Sequence, residues 1–241
     1  MGSAIKTNIE QVWREHFVLE EDMLEISTTC LTPQVVFEHS GHIQKFTDLL
    51  VKDVNGKFSY RADKLISEWA ENKLKKGKLK EEEKKELEHL LIHVDSFNKQ
   101  QIAETIQKYQ IKSPDTGGDL SLPEEFNLMF KTEIGPSANH AAFLRPETAQ
   151  GIFCNFNKLL EFNGGRLPFA AAQMGLGFRN EIAPRNGLVR VREFQMAEIE
   201  HFVDPLNKNH PKFKGVAHVR MPLYSAAQQE GAKPVEWMAI G

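Results

Sequence analysis

The sequence predicts an α+β fold in which a mostly antiparallel sheet is flanked by helices and carries a helical insertion. Two long β-prone runs lie between Leu167 and Val203, and the loop that joins them contains Pro184 and Asn186-Gly187, a strong hairpin signal. Helical patterns of apolar residues lie at 4–22 and within 62–112. No glycine-rich phosphate loop is found, which disfavours a Rossmann fold.

Residues 1–61 are predicted to begin the core with a helix, a strand and a second helix. The pattern at 4–22 is amphipathic. A β-prone run from Leu24 to Thr32 ends at Pro33, because proline cannot donate to a strand ladder. After Ser40-Gly41-His42, a short helical pattern covers Ile43 to Val51. The apolar stripe of the first helix consists of Ile5, Ile9, Val12, Trp13 and Phe17.

Residues 62–112 are predicted to form a charged insertion of two or three surface helices. The stretch from Glu71 to His89 is dominated by Lys and Glu, which can pair at a spacing of four. The turn-forming residues from Ser113 to Gly118 end this segment. We expect an insertion into the core rather than a separate large domain.

Residues 113–203 are predicted to hold the rest of the core. A strand covers Phe126 to Lys131, a Gly-Pro loop follows, and Arg145-Pro146-Glu147-Thr148 opens a helix. Asn163-Gly164-Gly165 ends that helix. Its apolar residues, which we expect to be buried, are Ile152, Phe153, Phe156, Leu159 and Leu160. Residues 204–241 have weak periodicity, so no element is predicted there.

Composition limits the class of protein. The 241 residues carry a net charge of −3, so any nucleic acid must be held by local patches rather than by bulk charge. No apolar run reaches the roughly 18 residues that a membrane span needs, and no secretory leader pattern is present. We therefore expect a cytosolic protein with no membrane partner. Cys30 and Cys154 form no CxxC, which argues against a disulfide framework or a Cys-based zinc site.

Two histidine pairs raise the question of a metal site. His89 and His93 are four residues apart on a predicted helix, a spacing that metal ligands use. Because no third ligand is near in the sequence, surface histidines are the favoured interpretation. His39 and His42 together with Cys30 also suggest a metal, but loop residues near a turn explain them as well. No metal site is predicted.

One face of the predicted hairpin carries the residues with the most chemistry. Because side chains alternate along a strand, Arg179 and Glu181 share a face of the first strand. The even-numbered residues of the second strand are Arg190, Arg192, Phe194, Met196, Glu198 and Glu200. A solvated surface strand is the alternative, but apolar runs flank these charges, which therefore need partners or a charged ligand. A nucleotide together with an amino acid fits this face better than a sugar or a lipid does.

Several segments resemble one enzyme family. Residues 178–181 (FRNE) and 190–194 (RVREF) resemble motif 2 of the class II aminoacyl-tRNA synthetases. Within that class, three further segments resemble the glycyl-tRNA synthetase family: 126–132 (FNLMFKT), 144–151 (LRPETAQG) and 196–202 (MAEIEHF). The resemblance covers nearly the whole chain and is weakest across the charged insertion and at the C-terminal end. It implies the class II catalytic fold, with a sheet of about six or seven strands.

The resemblance implies a site for ATP. Arg179 would be the catalytic residue, because it would hold the α-phosphate and offset the charge that grows there in the transition state. Glu181 would accept a hydrogen bond from the adenine amino group, and Arg190 would reach the outer phosphates. The adenine would stack on Phe194. The implied ATP-binding residues are Arg179, Asn180, Glu181, Arg190, Val191 and Phe194. Mg²⁺ would come with ATP.

The resemblance also implies the substrate and the partners. Glu147 and Glu198 would bind the ammonium group of glycine in a site with little room for a side chain. Glycyl-adenylate would form first, and tRNA(Gly) would then take the glycyl group. The helix at 4–22 and the strand ending at Pro33 are similar to part of motif 1, which implies a homodimer with Pro33 at the interface. An ordinary helix packed on its own core is the alternative.

The resemblance divides the chain and also shows departures. Residues 1–61 and 113–203 would form the catalytic core, 62–112 the insertion, and 204–241 the start of a second insertion or a truncated tail. Ser113-Pro114-Asp115-Thr116-Gly117 is similar to a Cys-Pro-x-Cys-Gly knuckle but lacks both sulfurs, so no zinc is expected. Nothing before Gly241 resembles motif 3. We therefore expect a fragment of a glycine–tRNA ligase or, alternatively, a non-catalytic module for dimerisation or regulation.

Overall fold

The computed structural model describes residues 1–56, 58–77, 79–136, 140–184, 187–231 and 233–241. Within these ranges the chain forms two compact units. The first unit comprises Met1–Asp48 and Phe126–Asn207, and the second comprises Leu49–Glu125 and Lys208–Gly241. In the same ranges, none of the helices is long and apolar enough to span a bilayer. Asn186 of the predicted hairpin turn lies outside the described residues.

The helices confirm most of the helical predictions. A π-helical turn, Glu15–Glu20, extends the first helix, so the prediction for 4–22 holds in kind. Three helices and a 3₁₀ turn, Val94–Ser96, occupy 62–112, as predicted. The α-helices, in chain order, are α1 (Gly2–Arg14), α2 (Gln34–His39), α3 (His42–Lys45), α4 (Ala62–Lys76), α5 (Glu81–His93), α6 (Lys99–Tyr109), α7 (Ala149–Cys154), α8 (Phe156–Phe162), α9 (Phe213–Val216) and α10 (Ala226–Glu230).

The strands pair in four small sheets within the described part of the chain. Their orders are β1-β8-β9, β2-β7-β6, β4-β3-β5 and β10-β11. β1 pairs with β8 in parallel, while the β8–β9, β6–β7, β2–β7, β3–β4 and β10–β11 pairs are antiparallel. The strands are β1 (Leu24–Glu25), β2 (Leu31–Pro33), β3 (Thr47–Lys52), β4 (Ser59–Arg61), β5 (Glu124–Asn127), β6 (Phe130–Ile134), β7 (His140–Leu144), β8 (Phe169–Phe178), β9 (Glu193–Phe202), β10 (Arg220–Leu223) and β11 (Glu236–Ala239).

The prediction of one continuous sheet with six or seven strands is wrong, because the strands form separate smaller sheets. Six strands of the first unit form two three-stranded sheets, β1-β8-β9 and β2-β7-β6. Two backbone hydrogen bonds connect these sheets, from the N–H of Arg145 to the carbonyl of Cys30 and from the N–H of Phe178 to the carbonyl of Arg145, both 2.9 Å. The ladder stops there because the next residue, Pro146, has no N–H to donate.

The predicted strand from Leu24 to Thr32 is also interrupted. β1 pairs with β8, whereas β2 pairs with β7 in the neighbouring sheet, so the chain changes sheets between them. Pro33 is the last residue of β2 and lies opposite Ala142. Because β2 is the edge strand of its sheet, the missing N–H of Pro33 costs no ladder bond on the outer side.

The helical prediction for Ile43–Val51 is wrong over its second half. α3 ends at Lys45, and residues 47–52 form β3 instead. Leu50 and Val51 are buried and lie opposite Arg61 and Tyr60 of β4. A short apolar run of this kind cannot be assigned by periodicity alone. Pairing with β4 decides its conformation.

The predicted strand from Phe126 to Lys131 is broken after Asn127. The Asn127 side chain accepts a hydrogen bond from the N–H of Met129 (2.9 Å) and donates to the carbonyls of His42 and Ile43. This local turn interrupts the extended backbone, as asparagine side chains often do. β5 therefore ends at Asn127, and β6 begins at Phe130.

The core helix of the first unit begins later than predicted. α7 starts at Ala149, so Pro146 precedes the helix rather than lying in its first turn. The helix is divided at Asn155, and α8 ends at Phe162, directly before the predicted stop at Asn163-Gly164-Gly165, where both glycines have positive φ. Phe153 is 54% exposed, which contradicts its predicted burial. The buried residues packed together here are Ile152, Leu159, Phe169 and Ala171.

The second unit packs its helices around one apolar cluster. Leu65 and Ile66 of α4, Leu87 and Leu90 of α5 and Ile102 of α6 are nearly inaccessible to solvent. Asn98 caps α6, accepting a hydrogen bond from the N–H of Gln101 while its own N–H donates to that side chain. The Lys- and Glu-rich residues therefore lie on the outer surface, as the charge pattern predicted.

Candidate active site

The β8–β9 hairpin positions the candidate carboxylates and the aromatic residue. Phe194 lies opposite Gly177, Glu198 opposite Gln173 and Glu200 opposite Ala171. The even-numbered residues of β9 are partly buried, whereas Glu193, Gln195, Ala197 and His201 are exposed. The predicted alternation is therefore confirmed for Phe194, Met196, Glu198 and Glu200.

The arginines of this region do not lie on the strands, which corrects the predicted alternation. β8 ends at Phe178 and β9 begins at Glu193, so Arg179, Glu181, Arg190 and Arg192 belong to the connecting segment. The N–H of Arg179 donates to the carbonyl of Arg192 (3.0 Å), and the Arg192 guanidinium donates to the carbonyl of Glu181 (2.9 Å). These bonds hold the two sides of the loop together beyond the ladder.

The Arg179 guanidinium lies between two aromatic rings. Its central carbon is 5.4 Å from the ring centre of Phe194 and 5.4 Å from that of Phe46. Its Nε donates to the carbonyl of Pro146 at 3.3 Å. A guanidinium over an aromatic face is stabilised by the ring quadrupole. Arg179 and Phe194 are thus brought together, and Phe46 is a third member that the sequence did not reveal.

Glu147 and Glu198 are each held through a single carboxylate oxygen. Oε1 of Glu147 accepts from Nε2 of Gln150 (2.6 Å) and lies 3.1 Å from Nε2 of His42. Oε2 of Glu198 accepts from the N–H (2.9 Å) and the hydroxyl (2.5 Å) of Thr148. In the described part of the chain, no hydrogen bond reaches the other oxygen of either carboxylate.

The charges of both of these carboxylates affect the pKa of Glu200. Burial raises the pKa of Glu200 above its usual value, and the negative charges of Glu198 and Glu147 raise it further. The glutamate cluster, which we define as Glu147, Glu198 and Glu200, therefore has an excess of negative charge. A bound cation would relieve this mutual repulsion.

A buried arginine anchors the loop that carries Glu147. Arg145 is 5% exposed, and its guanidinium donates to the carbonyl of Leu176 (2.8 Å) and to the carbonyl and hydroxyl of Thr28 (2.9 and 3.1 Å). A Cβ on Gly175 would come within 2.3 Å of this guanidinium, so only glycine leaves it room. Arg145 thereby connects the segment after β1, the end of β8 and the Glu147 loop.

The remaining candidates lie around this arrangement or away from it. The N–H of Asn180 donates to the carbonyl of Leu128 (2.7 Å), and Glu181, Arg190 and Val191 are partly buried in the connecting segment. Pro33 is exposed at the sheet edge. The functional neighbours that the sequence did not single out are His42, Phe46, Arg145, Thr148 and Gln150. The one sequence signal was the motif at 144–151, which contains Arg145, Thr148 and Gln150 beside Glu147.

Two cavities of the first unit meet at Glu147. One, of about 610 Å³, is also lined by His42, Gln150 and Phe153, and the other, of about 200 Å³, by Thr28 and Arg145. Among the residues that the structure describes, no group of three His, Cys, Asp or Glu side chains has the geometry of a metal site. Of Glu147, Glu198 and Glu200, only Glu147 lines these two cavities.

Comparison with known proteins assigns the family. Residues 130–233 match the family described as tRNA synthetase class II core domain (G, H, P, S and T). The chain is 52% identical over its full length to glycine–tRNA ligases of Drosophila melanogaster and Caenorhabditis elegans, and covers 32% of each. It is 46% identical over 95% of its length to a putative cytoplasmic glycine–tRNA ligase of Arabidopsis thaliana, of which it covers 50%. The chain thus spans about a third to a half of the length of these relatives.

Proposed function

Because this chain belongs to the glycyl-tRNA synthetase family of class II synthetases, we propose that it forms the part of a glycine–tRNA ligase that activates glycine with ATP. The observation that carries the proposal is the juxtaposition of three carboxylates, two of them with a free oxygen, at one end of the hairpin face that also holds Phe194. A compact negative site suits a small ammonium group. An arginine beside an aromatic ring suits a nucleotide.

Glycine binds by its ammonium group to Glu147 and Glu198. The free oxygens of the two carboxylates accept its hydrogen bonds. Its charge offsets the repulsion from Glu198 and Glu147 that, after burial, raises the pKa of Glu200. Two carboxylates around one ammonium group leave little room for a side chain, and excluding a larger amino acid by lack of space is physically easier than rejecting a smaller one. This arrangement favours glycine as the substrate.

ATP binds along the hairpin and its connecting segment. Arg179 holds the α-phosphate, Arg190 reaches the outer phosphates, Glu181 accepts from the adenine amino group, and the adenine stacks on Phe194. Asn180 and Val191 complete this site. The stacking of Arg179 on Phe194 and Phe46 supports the assignment, because it keeps the guanidinium near the adenine-binding ring while leaving its terminal nitrogens available.

The chemistry needs positioning and charge stabilisation rather than a protein nucleophile. An oxygen of the glycine carboxylate attacks the α-phosphorus, the bond from that phosphorus to the bridging oxygen breaks, and pyrophosphate leaves. Arg179 stabilises the charge that develops on the α-phosphoryl oxygens. Mg²⁺ bound with ATP supplies further neutralisation of the phosphates. It usually keeps several waters and needs few protein ligands. Transfer of the glycyl group to tRNA(Gly) follows.

We propose a homodimer for the whole protein, with Pro33 and α1 at its interface. The apolar stripe of α1 supports this, because Ile5, Ile9 and Val12 are all more than half exposed and no residue of the helix is buried. Exposed apolar stripes of this kind mark interaction surfaces. We also propose a cytoplasmic location, which the name of the Arabidopsis relative supports. Residues 62–112 are, in this proposal, an insertion between two parts of the catalytic core.

The second candidate is a non-catalytic module that keeps the fold and serves in dimerisation or regulation. The exposed apolar stripe of α1 favours it, because such a stripe would serve a dimerisation module as well as an enzyme. The two candidates differ in whether this chain binds the reaction intermediate.

Calorimetric titration with a non-hydrolysable glycyl-adenylate analogue tests the proposal. We expect Glu147→Gln and Arg179→Ala each to weaken binding about 10- to 100-fold, because each removes a charge-assisted contact. Glu161→Gln and Arg166→Ala, which change exposed residues of the same unit, are the matched controls and should bind normally. No binding by the folded chain would favour the module. Tight binding that neither substitution affects would refute the residue assignments.

A further inference from the structure

Thr148 makes two hydrogen bonds to the same atom of Glu198. Its N–H and its hydroxyl both donate to Oε2, at 2.9 and 2.5 Å. The side chain of Thr148 is fully buried, so water does not compete for these bonds. Hydrogen bonds to a charged acceptor are among the stronger ones in proteins. They fix the rotation of the carboxylate.

The local structure makes this contact unusual for a threonine. Thr148 immediately precedes α7, where a threonine side chain normally accepts a hydrogen bond from the helix backbone, yet no such cap bond forms. The hydroxyl instead donates to a residue fifty positions further along the chain, on β9. The Thr148 methyl group faces Gly175 of β8, where an added Cβ would lie 3.9 Å from it. The Thr148 hydroxyl thus donates its hydrogen bond to Glu198 rather than capping α7.

We propose that Thr148 is a positioning residue for amino-acid recognition: it clamps Oε2 of Glu198 and thereby directs Oε1 toward the substrate ammonium. The inference rests on the proposed function and adds a residue to it. Glu147 is held in the same manner, through Oε1 only, by Gln150 and His42. The two carboxylates therefore each present one oxygen with a defined direction, and a single ammonium group can be bound between them.

Three variants separate the hydroxyl from the rest of the side chain. Thr148→Val removes the hydroxyl and keeps the shape, while Thr148→Ser keeps the hydroxyl and removes the methyl group. Thr105→Val is the matched control, because Thr105 is also buried, but its hydroxyl donates to the backbone carbonyl of Gln101 in the second unit. The control reports the general effect of losing a buried threonine hydroxyl.

Each variant is titrated with two non-hydrolysable adenylate analogues, one carrying a glycyl group and one carrying an acetyl group, which lacks the amine. We expect Thr148→Val to weaken binding of the glycyl analogue about tenfold and to leave the acetyl analogue within about twofold. Thr148→Ser and Thr105→Val should leave both within about twofold. Equal weakening of both analogues by Thr148→Val would overturn the proposal, because a purely structural role predicts that result.

A measurement without ligand keeps this inference separate from the proposed function. Urea unfolding of Thr148→Val, Glu198→Met and the double variant measures whether the two side chains interact. We expect the fall in the urea midpoint of the double variant to differ clearly from the sum of the falls in the two single variants. The reason is that either single change already breaks the hydrogen bond between the two side chains. Additivity would overturn the clamp even if the chain binds both analogues. If the unsubstituted chain binds neither analogue, the proposed function of this chain is wrong. The unfolding measurements on the single and double variants still show whether Thr148 holds Glu198.

Discussion

Each of the two units contains buried or partly buried carboxylates. The two units differ in how the negative charge of these carboxylates is compensated. In the second unit, Asp53 is 1% exposed, accepts from the N–H of Asn55 (2.8 Å), and also accepts from the Thr116 hydroxyl. Hydrogen bonds from Thr116, Ser113 and Asn55 hold the pKa of Asp53 below its usual value. In the first unit, burial and mutual repulsion raise the pKa of Glu200.

This difference is our reason for proposing a structural role for one cluster and a binding role for the other. The Asp53 cluster, defined as Asp53, Tyr60, Ser113, Asp115 and Thr116, is internally satisfied: the Tyr60 hydroxyl lies 2.8 Å from the Ser113 hydroxyl and donates to Asp115 (2.6 Å). It occupies the segment similar to a cysteine knuckle, with hydroxyl groups where thiolates would be. The glutamate cluster has fewer donors than acceptors. In the proposed function, a cationic ligand supplies the missing donors and offsets the repulsion among the carboxylates.

The largest effect is expected from removing the acceptor of the internally satisfied cluster. Asp53→Ala leaves the Thr116 hydroxyl and the Asn55 N–H without their acceptor, so we expect the urea midpoint to fall by about 1 M at pH 7. Asp119→Ala, which removes an exposed carboxylate paired with Lys112, is the matched control and should change the midpoint little. A similar fall in both variants would show that Asp53 has no special structural role.

The pH dependence of this loss has a defined sign. Because the pKa of Asp53 is lowered on folding, its carboxylate stabilises the protein above the unfolded-state pKa, near 3.8. That contribution is lost as the pH falls from there through the lowered pKa. The difference between the unsubstituted chain and Asp53→Ala should therefore shrink in acid. A difference that grows below pH 4 would contradict the assignment.

A smaller effect of opposite sign is expected in the glutamate cluster. Because the pKa of Glu200 is raised on folding, its ionisation destabilises the folded state as the pH rises from about 4.5 through the raised value. Glu200→Gln removes this charge, so we expect the urea midpoint at pH 7 to rise by about 0.3 M. The advantage should vanish below pH 4.5. Glu193→Gln, on the exposed face of the same strand, is the control and should show no such pH-dependent gain.

Local patterns predicted the elements whose conformation is decided within the element. The β8–β9 hairpin follows from alternating side chains and a turn, and α4, α5 and α6 follow from their apolar spacing. The predictions for Ile43–Val51 and Phe126–Lys131 failed because remote partners decide them. β3 is extended because it pairs with β4, and the turn after Asn127 depends on bonds to the carbonyls of His42 and Ile43.

The candidate site shows the same division. Glu198, Glu200 and Phe194 share a face by strand periodicity, so their grouping could be predicted. His42 and Phe46 could not, since both lie in the segment around α3 and reach the site through long-range contacts. Thr148 lies beside Glu147 in the sequence, but its bond to Glu198 on β9 could not be predicted. Arg190 and Arg192 were assigned to the strand because the pattern continues past its end, whereas the ladder begins only at Glu193. The side-chain types indicated the kind of ligand, whereas tertiary contacts determined which residues lie together at the candidate site.

The smallest expected effect is the pH dependence of ligand binding. An ammonium group among the three carboxylates lowers the pKa of Glu200 toward its usual value, so binding releases protons between the raised and the lowered pKa. Affinity for the glycyl-adenylate analogue should therefore increase with pH across that window and then level off. In Glu200→Gln the increase between pH 5 and pH 7.5 should be smaller by about two- to threefold, while the acetyl analogue should show no difference between the two proteins. The same pH profile for both analogues would mean that Glu200 does not sense the amine, and the glutamate cluster would then resemble the Asp53 cluster in having no need of a ligand.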